Sequence, residues 1–118
     1  MILTDTHTHL YYERDSERRA ELMQRCFENT VTRLFLPNVD SDSVHMISEL
    51  VSAYPENCFA MLGLHPCDVK DDFEAQLAVI KQAQSTLKIY AIGEIGIDLY
   101  WDKTTLEIQK QAFRTQIR

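Results

Sequence analysis

The chain has 118 residues, 45% of them hydrophobic and 25% charged, with a net charge of −6 at pH 7, which is the composition of an ordinary folded domain and excludes a disordered tract. No apolar run approaches the roughly 20 residues of a membrane span, and the start lacks a basic segment leading into an apolar one, so a cytoplasmic protein is expected. The acidic balance argues against a stable nucleic-acid coat built on phosphate neutralisation, though not against an enzyme that meets phosphates through bound cations.

In chain order, the alternation in MILTDTHTHL predicts a strand over Met1–Leu10 that puts Asp5, His7 and His9 on one face. DSERRAELMQRCFEN then predicts a helix with Leu22, Met23, Cys26 and Phe27 inward and Asp15 or Ser16 as its N-cap. Its Arg14, Arg18, Arg19 and Arg25 alternate with Glu13, Asp15, Glu17 and Glu21, the pattern of a solvated face. VTRLFLP reads as a buried strand stopped at Pro37. NVDSDSVHMISELVSAYP reads as a helix capped by Asp40 or Ser41, with Val44, Ile47, Leu50 and Val51 inward, His45 at the surface and an end before Pro55. CFAMLGLHP is a third strand, DDFEAQLAVIKQAQ a third helix with Phe73, Leu77 and Ile80 inward, and KIYAIGEIGI a fourth strand. DKTTLEIQKQAFRTQIR places Leu106, Gln109, Phe113, Gln116 and Ile117 at helical spacing, and the chain is expected to stop inside this fourth helix.

Strand–helix alternation with short connections predicts a parallel α/β sheet covered by helices, in one domain over 1–118. An open doubly wound sheet calls for a Gly-rich turn after its first strand, but here that strand runs into His-x-His. A (β/α)₈ barrel places its chemistry at the C-terminal ends of its strands and needs about 250 residues. The expected fold is therefore the N-terminal half of a TIM barrel, truncated after about four βα units, with strands in the order 1-2-3-4. The uncovered barrel-lining face is expected to leave Ile2, Phe35, Met61 or their neighbours exposed.

The three glycines lie in GLHP (Gly63–Pro66) and GEIG (Gly93–Gly96), at two predicted strand ends where a backbone must turn or let a ligand approach. These ends present His65 and Glu94 beside His7 and His9. Two His at i, i+2 on a strand reach one ion at about 2.0–2.1 Å, and Glu94 adds a carboxylate able to bridge to a second. Mixed imidazole and carboxylate ligation suits Zn²⁺, Mn²⁺ or Fe²⁺, and Mg²⁺ prefers oxygen; the metal stays open. Asp5, one period deeper, is assigned to holding a His tautomer, His65 to supporting the site or contacting a phosphate, and Asp98 to organising its loop. Cys26, Cys58 and Cys67 contain no Cys-x-x-Cys pair and are expected to be buried structural thiols, Cys67 included. Tyr11, Tyr12, Tyr100 and Trp101 are candidates for an aromatic rim on which bases stack.

Together, DTHTHL (Asp5–Leu10), GLHP, GEIGIDLYWD (Gly93–Asp102) and QKQAFRTQI (Gln109–Ile117) resemble the TatD family of metal-dependent hydrolases. The resemblance implies His7, His9 and Glu94 as metal ligands, two divalent ions per complete site with Glu94 bridging them, and hydrolysis of phosphodiester bonds in DNA, often from the 3′ end. In the family, two further His and an Asp on later strands complete the second metal site and handle the proton of the attacking water. These positions fall beyond Arg118, so no catalytic base is expected within the chain, and the fragment alone is expected to be inactive. The competing readings are hydrolysis of an ester or amide such as an aminoacyl-tRNA, and a half-barrel without catalysis.

Overall fold

The computed structural model describes residues 1–118. Four parallel strands, β1 (Leu3–Asp5), β2 (Val31–Pro37), β3 (Cys58–Leu62) and β4 (Ile89–Ile92), lie in the order 1-2-3-4. Four helices alternate with them: α1 (Ser16–Glu28), α2 (Val44–Ala53), α3 (Phe73–Ala83) and α4 (Leu106–Gln116).

Strand periodicity separates two faces. Leu34, Leu36, Cys58, Ala60 and Leu62 point one way and are buried with Met23 of α1, Ile47 and Leu50 of α2, Phe73 and Ile80 of α3 and Ala112 of α4. Every helix therefore covers the same face. On the opposite face, Phe35, Phe59 and Tyr90 stack across neighbouring strands, with ring centroids 5.3 and 5.0 Å apart. Tyr90 and Ile92 are exposed there, as is Ile2 near the edge. The exposure expected of this face falls on Ile2 and on these neighbours, while Phe35 and Met61 are half-buried because side chains on adjacent strands cover one another.

The predicted helices form, with differences at their ends. Asp15 caps α1, accepting the Arg18 N–H at 2.9 Å. Asp40 and Ser41 do not cap α2: the Asp40 carboxylate accepts the Ser43 N–H, making a turn that delays the helix to Val44. All but one of the strands are shorter than the sequence pattern suggests, and β1 most of all. The Asp5 carboxylate accepts the His7 N–H at 3.0 Å, and such an Asx turn gives the backbone an alternative to the ladder. His7 and His9 thus lie beyond the strand, ahead of a short 3₁₀ turn over Leu10–Tyr12.

Candidate metal centre

The C-terminal ends of β1, β3 and β4 meet at one rim. His7 Nε2 and His9 Nε2 are 3.2 Å apart, and each is 2.9 Å from the same oxygen of Glu94, Oε1. The other carboxylate oxygen, Oε2, lies 3.2 Å from His65 Nε2. The ligand atoms of His7, His9 and Glu94 all fall within 4.8 Å of one another. The two His converge through the bend after Asp5 and not through strand alternation.

This triangle fits a small divalent ion. Donors held at about 2.0–2.1 Å from a metal stand about 2.9–3.4 Å apart, the lower value for octahedral and the higher for tetrahedral angles. Imidazole electron pairs and a carboxylate oxygen at such spacing repel unless a cation or protons sit among them. The His7 side chain is 55% exposed and that of Glu94 22%, so the cluster opens to solvent from the His7 side.

Of the two carboxylates assigned supporting roles, Asp5 has a different role from the one expected and Asp98 does not. Asp5 holds the His7 backbone and no imidazole ring. Asp98 acts within its own loop as anticipated, its carboxylate accepting the Tyr100 N–H at 2.8 Å. His65 Nδ1 accepts the Cys67 N–H at 3.1 Å, so the proton of the neutral ring is on Nε2 and is offered to Glu94. His65 therefore steadies the carboxylate by donation. Asp68 stands beside it, Oδ2 3.8 Å from Nδ1, and burial together with Asp40 raises its carboxyl above the usual range.

Four residues not expected among the supports of the metal site hold this rim together. Tyr11, expected at an aromatic rim, is fully buried; its hydroxyl is 2.8 Å from His9 Nδ1 and donates to the Pro37 carbonyl at 2.6 Å. Tyr12, Tyr100 and Trp101 are exposed, the last two edge to face. Asn38, fully buried at the end of β2, accepts the Gly63 N–H through its side chain and the Glu94 N–H through its carbonyl. Gln109 and Gln116, two turns apart on α4, clamp the backbones of Asp98 and Leu64: each glutamine Oε1 accepts an N–H and each Nε2 donates to the carbonyl of that residue. An apolar stripe does not call for glutamine, so the polar positions within a helix's inner face were the available signal. Cys67 is exposed, not buried. Partial desolvation and the neighbouring Asp98 push its thiol up, so it is not an activated nucleophile.

The family model for TatD-related DNases matches residues 4–118. The chain belongs to this family. The metal-dependent hydrolase YabD of Bacillus subtilis, itself described as uncharacterized, is 36% identical over 98% of this TatD-family chain and 45% of its own length. The 3′-5′ ssDNA/RNA exonuclease TatD of Pectobacterium atrosepticum is 27% identical over 90% of the chain and 40% of its own. Among solved structures, YjjV, a TatD homologue from Escherichia coli K12, superposes with a TM-score of 0.85 at 27% identity, over 98% of this chain and 45% of that one. The chain thus spans less than half the length of these relatives. No helix is long and apolar enough to cross a membrane.

Proposed function

We propose that this chain forms the first half of a (β/α)₈ barrel, as a single partial domain over 1–118, in a metal-dependent phosphodiesterase that trims single-stranded nucleic acid from its 3′ end. The observation that carries the reading is the donor triangle of His7, His9 and Glu94 at the strand ends of a TatD-family fold. In support of the substrate class, a relative is described as a 3′-5′ ssDNA/RNA exonuclease.

His7 and His9 would hold a first ion through Nε2 with Glu94 Oε1, and Glu94 Oε2 would be available to a second. Bound divalent metal supplies activation of a water and charge stabilisation on the scissile phosphate. The residues of this chain do the rest of the positioning. Asp5 fixes the His7 backbone, Asn38 fixes that of Glu94, and His65 Nε2–H orients the carboxylate. The aromatic side chains of Tyr12, Tyr100 and Trp101 provide exposed faces for unstacked bases. Since the net charge is −6, local cations rather than a basic surface would attract the phosphates.

The test uses the full-length gene product containing this chain. It is incubated with 3′- or 5′-labelled single-stranded DNA and RNA, and separately with an aminoacyl ester, in Mg²⁺, Mn²⁺ or Zn²⁺. Progressive loss of 3′ nucleotides, abolished by chelation and by His9→Ala, is expected. Turnover of the ester with no release of nucleotides would replace this reading with the acyl-hydrolase one.

A further inference from the structure

The Tyr11 hydroxyl has two partners and one proton. It is 2.6 Å from the Pro37 carbonyl oxygen, which can only accept, and 2.8 Å from His9 Nδ1, which can either donate or accept. Tyr11 is fully buried, so no water relieves a wrong assignment, and two oxygens at 2.6 Å without a proton between them would leave the carbonyl unsatisfied in the interior. The phenolic proton is therefore committed to Pro37. One arrangement then satisfies all three groups: His9 Nδ1–H donates to Tyr11, and Tyr11 donates to Pro37.

We infer that Tyr11 is a positioning residue for the metal site, fixing the His9 proton on Nδ1 so that Nε2 keeps the electron pair facing His7 and Glu94. This rests on the metal reading proposed above and adds to it the element that orients one ligand. A ring hydrogen bond on the far nitrogen is a general means of setting a ligating imidazole's tautomer and orientation. What is particular here is its route: the fixed point is a main-chain carbonyl at the end of β2, so the sheet itself, through a buried phenol, sets the aim of a side chain that lies outside any strand. His65 supplies the contrast within the same site. Its Nδ1 accepts a backbone N–H, which forces the opposite tautomer and makes Nε2 a donor. Two histidines that both face Glu94 are thereby divided into one that offers an electron pair and one that offers a proton.

The experiment reads the tautomers directly. Two-bond ¹H–¹⁵N ring spectra of the metal-free, ¹⁵N-labelled full-length protein are recorded at about pH 8, above the ordinary His range, and assigned with His9→Gln and His65→Gln. The expected result is His9 protonated on Nδ1 and His65 on Nε2. In Tyr11→Phe, which keeps the ring and removes the hydroxyl, His9 becomes a mixture of tautomers while His65 is unchanged. Affinity for Mn²⁺ or Zn²⁺, titrated calorimetrically, falls about 10–100-fold, the range seen when such outer partners of a ligand are removed. A wild-type His9 carrying its proton on Nε2 overturns the inference, and so does a folded Tyr11→Phe protein with undiminished metal affinity. Should Tyr11→Phe not fold, the wild-type spectrum decides. A wild-type protein that shows the expected tautomers but binds none of Mg²⁺, Mn²⁺ and Zn²⁺ would instead sink the metal reading, with Tyr11's hold on the ring intact.

Discussion

Glu94 meets three imidazoles with two oxygens, so its charge and its shape can be tested apart. Glu94→Gln keeps the volume and removes the charge that balances a cation; it is expected to reduce Mn²⁺ affinity at least 10-fold in calorimetric titration. His7 is the most exposed member of the cluster, and His7→Ala should lose metal in the same titration while changing unfolding free energy by only about 0.5 kcal/mol, as for other exposed positions. A large fall in melting temperature for His7→Ala would make it a structural residue instead. Cys58 offers a separate test in the core, where burial pushes its thiol up to about 12. Below the pKa of an unfolded cysteine, about 8.5, both states hold the proton and stability is unaffected. Above it the unfolded chain releases the proton and the folded one does not, so stability falls with rising pH up to the folded value. The slope approaches about 1.4 kcal/mol per pH unit for one proton. Urea unfolding at pH 8 and 10 should show a steeper loss for the wild type than for Cys58→Ala; equal slopes would place Cys58 in contact with water.

At the scale of elements, the rim is a set of loops held by partners distant in sequence. Gly63, where β3 gives way to GLHP, has no room for a side chain: an added Cβ would lie 2.6 Å from the Glu94 carbonyl oxygen and 2.9 Å from Ile95 Cγ2. Because the nearest obstacle is backbone, Gly63→Ala must displace the Glu94 loop. It should cost about 1–3 kcal/mol and weaken metal binding, with both effects measured on the same preparation. Gln109, 1% exposed, satisfies both backbone groups of Asp98. Gln109→Leu fills the space but leaves those groups unpartnered, with an expected cost of about 1–3 kcal/mol. Chemical denaturation would show it, and a neutral substitution would mean that water reaches Asp98 in its place.

For the whole molecule, the decisive feature is that all four helices lie on one face of the sheet. The aromatic row of Phe35, Phe59 and Tyr90 has no covering layer, and β1 and β4 each have one unpaired edge. The Cα radius of gyration is 15.1 Å, against about 13.5 Å for a compact domain of this length. Such a shape suits a sector of a barrel. Residues 1–118 expressed alone are therefore expected to associate through the open face and edges and to hydrolyse nucleic acid far more slowly than the full-length gene product. Light scattering and the labelled-strand assay check both, and a monodisperse monomer with full activity would contradict the half-barrel reading.

The sequence by itself was enough for the element types, their alternation and the strand ends at which polar residues gather, because these depend on local periodicity and on where glycine and proline fall. It also carried the family, through short motifs whose order survives without knowledge of their contacts. It did not reveal how His7 and His9 meet. Period-2 alternation is what a strand would write, but the Asp5 side chain ends that strand early, and a competition between a side chain and a ladder for one N–H is settled only in the folded chain. The His-x-His in place of a Gly-rich turn favoured a barrel over a doubly wound sheet, but which face each helix covers is a property of the crossovers and is seen only in the fold. Tyr11, Asn38, Gln109 and Gln116 were illegible for the same reason. Each contacts backbone remote in sequence, and a polar residue acquires such a partner only when tertiary packing removes water and leaves one atom within reach.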